Sequence, residues 1–406
     1  MAHHFQIYHR GVVKRFNSGL QNHQRGFDSF RPCQKSTTFR LCFFNILVNY
    51  VYIPFLFFGG WYDIIVIGHN VIYEIGMVAY MKKSVKKAMV GIGVTAAVSA
   101  LAAGIHHITS RYLVKLAISR QVPKRVQKDK ERLLSSSEIS DVVTTLSEAA
   151  QSLEAIEHET VELTAEDGTN LIGHWFYGDN PKRVIVAMHG WRSSWSQDFG
   201  AIAPFWLAQG CAVLFAEQRG QGKSGGEYMG FGLLERFDCL EWIKWADKTT
   251  EGKLPIYLGG ISMGATTVLM ASGLELPESV RGVIADCGFT SPRAIWKHVV
   301  ETNLHLPYSI YSSAARDICQ KHIQVENDNY STTDALQSCK LPVLFIHGTD
   351  DHFVPAEMTY ENYRAYNGRK RLFVVPGAEH GMSYFIDREG YEKELIAFWQ
   401  EYDGAR

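Results

Sequence analysis

The sequence predicts a mostly parallel β-sheet with helices on both faces in the C-terminal part of the chain. From residue 156 onward, short apolar runs of the buried-strand type alternate with segments of helical spacing. Hydrophobic residues make up 46% of the 406-residue chain and charged residues 20%, which is enough apolar material for such a core. Several polar residues follow the predicted strands at the carboxyl end, where sheets of this kind bind ligands.

Eight segments have the pattern of strands. The first two are separated by the turn signal Glu166-Asp167-Gly168, which predicts a hairpin. Most of the others are continuous apolar runs, as expected for strands buried on both faces. In chain order the predicted strands are residues 159–164, 170–177, 183–188, 211–217, 254–260, 281–287, 341–348 and 371–377.

Helices are expected between the strands, where apolar residues recur at helical spacing. Gly210 closes the first of these helices. Residues 288–337 have no strand signal and are predicted to form an irregular polar region. The predicted helices are residues 203–210, 233–247, 263–272, 356–366 and 390–402.

The N-terminal part of the chain has a different composition. Residues 88–110 contain no Asp, Glu, Lys or Arg, and they follow the lysine-rich residues 81–87. This arrangement is typical of a signal anchor or a signal peptide, with an A-x-A cleavage site that ends at Ala102. We therefore expect residues 81–110 to attach the protein to a membrane through a single N-terminal anchor, or to release it as a secreted protein after cleavage.

Two further segments flank this predicted anchor. Met81 is a natural start, so we expect residues 1–80 to be upstream sequence that is absent from the native protein. The alternative is a genuine N-terminus with two membrane spans, because residues 41–62 also carry no charge. Residues 111–155 are charged and helix-prone, and they are predicted to form a helical stalk before the domain of residues 156–406.

The sequence Gly260-Ile261-Ser262-Met263-Gly264 lies between a predicted strand and a predicted helix. This is the G-x-S-x-G pattern of a nucleophile elbow, in which a strained turn exposes the serine hydroxyl. The two glycines leave room for that turn against the neighbouring chain. The sequence therefore predicts Ser262 as a nucleophile, and the alternative is a structural helix cap.

A serine at its ordinary pKa is a weak nucleophile and needs a base within hydrogen-bond reach. His380 follows the last predicted strand and is the expected base. A carboxylate must in turn orient the imidazole ring. Asp351 follows the strand 341–348 and is the predicted acid, with Asp350 and Asp286 as alternatives.

Two main-chain N–H groups are expected to stabilise the oxyanion of the reaction. One belongs to Met263, the residue after the nucleophile. The other is assigned to Trp191, in the sequence His189-Gly190-Trp191 after the strand 183–188. The alternative for Trp191 is a tight turn with a packed ring.

No cofactor, metal or nucleic acid is expected. The formal net charge is −1, and no long basic patch occurs in the C-terminal part. The seven cysteines show no C-x-x-C spacing, which argues against a disulfide framework and a structural zinc site. Residues 221–224 suggest a phosphate loop, but Glu217 occupies the position where that loop needs a glycine.

These motifs resemble those of the α/β-hydrolase superfamily over residues 156–406. The chain looks most like bacterial single-domain hydrolases related to the prolyl oligopeptidase catalytic domain, the serine aminopeptidases and the monoacylglycerol lipases, which often carry an N-terminal membrane segment. The resemblance implies an α/β-hydrolase fold with an eight-stranded, mostly parallel sheet. The stretches that carry it are VIVAMHGWRSS, EQRGQGKSGGEY, YLGGISMGATTVL, LFIHGTDDHFVP and VPGAEHG.

Two regions bear on the substrate that the resemblance implies. The loop that is D-x-R-G-H-G-x-S in relatives begins with Glu217 here, a departure that affects the rim of the pocket. The insert 288–337 lies where relatives place a lid, and its short length favours a small or moderately long acyl chain; packing of its helices on the sheet edge is the alternative. Its apolar residues are Ile295, Trp296, Val299, Leu304, Leu306 and Ile310.

The predicted function is hydrolysis of a carboxylic ester through an acyl-enzyme formed on Ser262. The alternatives are a serine aminopeptidase or dipeptidyl-type peptidase, a thioesterase, and a non-catalytic receptor on the same fold. An aminopeptidase would need an acidic cluster near the pocket to bind the substrate amine, for which Glu217, Glu227 and Glu235 are the candidates. The expected partners are an acyl ester or short peptide substrate and, through the N-terminal segment, a membrane.

Overall fold

The computed structural model describes residues 53–57, 60–64, 99–101, 103–104, 107–112, 114–122, 140–303 and 305–404. In the C-terminal part, one eight-stranded sheet carries helices on both faces. Within the predicted upstream segment 1–80, Ile53–Phe57 pairs with Gly60–Ile64 as a separate antiparallel ribbon.

The sheet confirms the predicted architecture. Its order is β8-β7-β6-β5-β3-β4-β2-β1, where β2 runs antiparallel to both of its neighbours and the other pairs are parallel. The strands are β1 (Glu159–Thr164), β2 (Asn170–Phe176), β3 (Arg183–Met188), β4 (Cys211–Glu217), β5 (Ile256–Ile261), β6 (Val280–Asp286), β7 (Val343–Gly348) and β8 (Lys370–Val375).

The helices lie between the strands, near the predicted positions. The short helices Trp195–Phe199 and Ser383–Ile386 have no counterpart in the prediction. Among the described residues from 140 onward, the α-helices are α1 (Ser140–Glu154), α2 (Trp195–Phe199), α3 (Ala203–Ala208), α4 (Glu235–Thr249), α5 (Met263–Ala271), α6 (Pro292–His298), α7 (Tyr308–His322), α8 (Thr332–Ser338), α9 (Ala356–Ala365), α10 (Ser383–Ile386) and α11 (Arg388–Tyr402).

The central strand β3 shows why the buried strands are continuous apolar runs. Val184 and Val186 pack in the cluster that contains Trp242 of α4. Ile185 lies in the cluster on the opposite face, which contains Trp399 of α11. Because successive side chains of a strand point to opposite faces, a sheet covered on both sides needs an apolar residue at every position.

The insert 288–337 is mostly helical, whereas the sequence predicts an irregular region. Ser291 caps α6, since its side chain accepts a hydrogen bond from Ala294 N, and Pro292 begins the helix. A π-helical turn, Val299–Asn303, continues α6, and α7 and α8 follow. The polar composition of the insert conceals helices whose apolar sides face the domain, as with the buried Ile295.

The predictions of a membrane location and of a membrane partner through a single N-terminal anchor are corrected by the structure. None of the helices in the described ranges combines the length and the apolar character that crossing a bilayer requires. The same finding removes the support for a secreted form cleaved after Ala102. Residues 81–98 of the predicted anchor, and Ala102 itself, lie outside the described residues. Near the end of that segment, Ser110 is buried against the protein.

The described part of the predicted stalk, residues 111–155, lies on the domain. Leu153 of α1 is fully buried in the cluster beneath α2. Ser196 Oγ donates a hydrogen bond of 2.6 Å to Glu154 Oε1. Gly200 lies close to the backbone of Ala150: a Cβ added at Gly200 would lie 2.7 Å from Ala150 N.

Candidate active site

The nucleophile elbow forms at the junction of β5 and α5. Ser262 has φ 57° and ψ −119°, a conformation that a residue with a side chain rarely adopts. A Cβ added at Gly264 would collide with Met188 O, and one added at Gly260 would collide with Gly264 O. The two glycines therefore allow β5 to turn directly into the helix and present the Ser262 hydroxyl at the end of the sheet.

Ser262, His380 and Asp351 form a continuous hydrogen-bonded chain. His380 Nε2 lies 2.8 Å from Ser262 Oγ, and His380 Nδ1 lies 2.7 Å from Asp351 Oδ2. The three residues follow β5, β8 and β7 respectively, at the same edge of the sheet. The structure thus brings together all three residues that the sequence predicts for a triad.

Asp351 is held as an anion by its surroundings. Its Oδ1 accepts hydrogen bonds from Phe353 N at 2.9 Å and Val354 N at 2.8 Å. Burial alone would raise the pKa of Asp351, but the charge of His380 and hydrogen bonds from His347 and His380 lower that pKa well below its usual range. A buried carboxylate of this kind fixes the ring of the neighbouring histidine.

The surroundings of His380 favour its protonated form. Burial tends to lower the pKa of His380, but the Asp351 carboxylate, and to a smaller extent the Cys287 thiol, raise it well above the ordinary value of 6.5. Phe353 packs edge-on against the imidazole with ring centroids 5.0 Å apart. These contacts fix the orientation of the ring between Ser262 and Asp351.

The two alternative acids make other contacts. Asp350 is exposed and accepts a hydrogen bond of 2.8 Å from Thr349 Oγ1. Asp286 is buried, and its carboxylate accepts hydrogen bonds from Ser383 and Tyr391. Its burial raises its pKa to about 6.

The loop after β3 lies against the nucleophile, as its predicted role in the oxyanion hole requires. A Cβ added at Gly190 would lie 3.3 Å from Ser262 Cβ. Gly190 N donates to Asp198 Oδ2 at 2.6 Å, which fixes the start of this loop. Met263 begins α5, so its N–H group is one of those that have no acceptor within the helix. Trp191 is the next residue of the loop.

Possible metal ligands come together at one place within the described ranges. The ligand atoms of Cys287, Asp351 and His380 lie within 4.8 Å of one another. Two of these residues already bond to each other at 2.7 Å, so the hydrogen-bonded chain accounts for the grouping. The five described cysteines, Cys211, Cys239, Cys287, Cys319 and Cys339, are free and buried.

Two residues near the site, His347 and Gln218, were not predicted from the sequence to have a functional role. His347, interpreted from the sequence as structural, places Nε2 3.2 Å from Asp351 Oδ2. The signal that could have found it is its position four residues before Asp351, on the strand that the aspartate follows. Gln218 was also missed, although its side chain donates to His189 O and accepts a hydrogen bond of 3.0 Å from Thr267.

Comparison with known proteins agrees with this fold. A family model described as serine aminopeptidase, S33, matches residues 179–313, which include the elbow and the loop after β3. The chain has the α/β-hydrolase fold. An esterase from Pyrococcus furiosus has the same fold with a TM-score of 0.51 and 24% identity, over 62% of this chain and 93% of the esterase.

Curated relatives cover a similar share of the chain. The uncharacterized protein YqkD of Bacillus subtilis is 26% identical over 252 residues, which are 61% of this chain and 81% of the relative. A bifunctional esterase/perhydrolase of Acinetobacter calcoaceticus is 23% identical in an alignment 279 positions long that covers 58% of this chain and 98% of the relative.

Proposed function

We propose that this α/β-hydrolase cleaves a carboxylic ester through an acyl-enzyme intermediate. As Ser262 Oγ attacks the ester carbonyl, the hydroxyl proton passes to His380 Nε2. Asp351 stabilises the imidazolium that forms. The main-chain N–H groups of Met263 and Trp191 hold the oxyanion. Collapse of the tetrahedral intermediate releases the alcohol, which takes its proton from His380, and water then hydrolyses the acyl-enzyme by the same steps.

The observation that carries this proposal is the unbroken chain from Ser262 Oγ through His380 to the buried Asp351. The two links measure 2.8 and 2.7 Å, both within the range that proton transfer requires. A receptor on this fold would have no need for a strained serine, a base and a buried acid in register.

The hydrogen bonds of Glu217 and Glu235 favour an ester over a peptide with a free amino terminus as the substrate. Glu217 accepts hydrogen bonds from His174 Nε2 at 2.8 Å and from Lys223 N. Glu235 is fully buried and accepts from Gly230 N and Gly232 N at 2.6 and 2.8 Å. Of the three acidic candidates, Glu227 alone is exposed, and one carboxylate is not the cluster that an aminopeptidase needs.

The test is hydrolysis of p-nitrophenyl esters from acetate to palmitate, beside acyl thioesters and aminoacyl-p-nitroanilides, by the full chain and by Ser262→Ala. We expect ester turnover that falls on the order of 10⁶-fold in this variant. Ser272→Ala is the matched control: this buried hydroxyl donates to Leu269 O and lies at the far end of α5. Its activity should equal that of the unmodified chain.

Other outcomes would change the assignment. Anilide turnover without ester turnover would move the substrate to a peptide, as the serine aminopeptidase family would suggest. A preference for thioesters would indicate a thioesterase. Equal activity in Ser262→Ala and in the unmodified chain would contradict the proposed mechanism.

A further inference from the structure

Residues 114–120 lie beside the nucleophile, although they precede the α/β-hydrolase domain in sequence. Ile118 is fully buried and Val114 is 8% exposed. Both belong to one apolar cluster with Met263, the residue after Ser262, and with Phe231 of the loop before α4. We call residues 114–120 the N-terminal strap.

The strap also holds the loop to which we assign one oxyanion donor. Trp191 Nε1 donates a hydrogen bond of 2.9 Å to Ala117 O. The Arg192 guanidinium donates to Leu116 O at 2.6 Å and to Ser119 O at 2.8 Å. Burial lowers the pKa of Arg192 to about 10, because a buried cation is costly unless its N–H groups find acceptors. The strap carbonyls are such acceptors.

The other end of the strap is fixed to the loop after β4. Arg120 Nη1 donates to Ser224 O at 2.6 Å, and Arg120 Nη2 donates to Gly222 O at 2.5 Å. The backbone adds a further attachment, since Met229 N donates a hydrogen bond of 2.6 Å to Ile118 O. The strap is therefore anchored on two loops that border the carboxyl edge of the sheet.

We propose that the strap closes one side of the acyl site and that Val114 and Ile118, which pack in the cluster behind Met263 and Trp191, determine how much room the acyl chain has. This inference rests on the proposed acyl-enzyme function. In the acyl-enzyme on Ser262, the N–H groups of Met263 and Trp191 hold the carbonyl oxygen. The alkyl part of the acyl group then extends toward the apolar cluster that Met263 shares with the strap. Ile295 of the insert lies in the same cluster, so the strap and the insert together bound the chain.

The experiment measures acyl selectivity in the full chain without relying on a particular ester. Ethyl and dodecyl fluorophosphonates label an activated serine whatever its natural substrate, and the ratio of their second-order rate constants reports chain acceptance. The variants are Ile118→Val, Ile118→Ala and Val114→Ala. The matched control is Ile243→Ala, since Ile243 is equally buried but lies in the cluster formed by α4 and β3.

We expect Ile118→Ala, which removes three carbon atoms and so makes room for a longer chain, to raise the dodecyl-to-ethyl ratio by more than about 10-fold, since one methylene in an apolar pocket already changes discrimination by about that factor. Ile118→Val, which removes a single methylene and preserves the fold, should change the ratio in the same direction by less. Ile243→Ala should leave the ratio unchanged even if it lowers both rates.

Two failures are distinguishable. Labelling of Ser262 with the same ratio in all strap variants and in the control would overturn the inference and leave the proposed function intact. An absence of Ser262 labelling by either probe in the unmodified chain would overturn the proposed function, and the inference with it.

Discussion

His347 Nε2 lies 3.2 Å from Asp351 Oδ2, the same oxygen that lies 2.7 Å from His380 Nδ1. His347 Nδ1 lies 2.6 Å from Thr359 Oγ1 and Nε2 lies 2.9 Å from Val354 O. A hydroxyl that donates to Nδ1 leaves Nε2 as the protonated nitrogen, which then donates to both oxygens. His347 is thus a positioning residue for the acid of the proposed triad.

We expect His347→Phe to lower kcat by about tenfold with little effect on KM. The variant keeps the ring but removes a donor to a charged carboxylate, and a hydrogen bond of that kind contributes about 1.5–3 kcal/mol. Since about 1.36 kcal/mol in activation free energy corresponds to a tenfold change in rate, losing part of this hydrogen-bond contribution gives the expected decrease in kcat. His347→Gln retains an N–H donor and should restore part of the activity in steady-state ester hydrolysis.

The control for this prediction is His352→Ala, which removes an exposed imidazole on the loop after β7. Its kinetics should match those of the unmodified chain. Equal kcat in His347→Phe and His352→Ala would show that His347 does not position Asp351.

The raised pKa of His380 predicts the pH dependence of the reaction. The base must be neutral to accept the Ser262 proton, and it is protonated below its pKa. Because Asp351 raises that pKa well above 6.5, kcat/KM should increase with pH and reach half of its plateau above pH 6.5. Initial rates of ester hydrolysis between pH 5 and 10, corrected for spontaneous hydrolysis, measure the midpoint.

Asp351→Asn tests the cause of this shift. Without the carboxylate, the midpoint should move to lower pH and the plateau should fall by about 10⁴-fold, because the imidazolium and its orientation lose their support. Asp350→Asn removes the neighbouring, exposed carboxylate and should change neither quantity by more than a small factor. A midpoint that stays in place in Asp351→Asn would contradict the assignment.

The sequence predicted the sheet because its buried strands have a pattern that few other structures share. β3 and β4 are buried at every position, and apart from Arg183 at the start of β3 and Glu217 at the end of β4 their residues are all apolar. Ser262 was predictable for a similar reason: the collisions that a Cβ would cause at Gly260 and Gly264 make both glycines necessary, and they leave a visible pattern.

Contacts between distant segments were not predictable in the same way. The strap contacts the loop after β3 mainly through main-chain carbonyls, such as Ala117 O and Leu116 O. Because every residue type has such a carbonyl, these contacts cannot be recognised in the sequence. Residues 88–110, which precede the strap, suggested a membrane anchor because hydropathy records the composition of a segment and not the contacts that it makes. The helices of the insert were missed because several of the residues that they bury are small or polar, such as Ala314, Cys319 and Thr332.

Glu379, next to the proposed base, gives a prediction about stability. Burial, together with the negative charges of Asp350 and Asp351, raises the pKa of Glu379 to about 7 from an ordinary value of 4.5. Because the pKa of Glu379 is raised in the folded protein, its contribution to the free energy of unfolding is fully present below pH 4.5 and is lost as the pH rises through 7. Over that range the carboxylate must ionise in an unfavourable environment. Glu379→Gln removes this ionisation.

The melting temperature of Glu379→Gln should therefore approach that of the unmodified chain near pH 4.5 and exceed it by a margin that grows up to pH 8. Thermal unfolding followed by circular dichroism at half-unit pH steps measures the difference. Glu361→Gln, on the exposed side of α9, is the control and should show no pH-dependent gain. If the two variants gave the same difference at every pH, the charge of Glu379 would be no more costly in the folded protein than that of a surface glutamate.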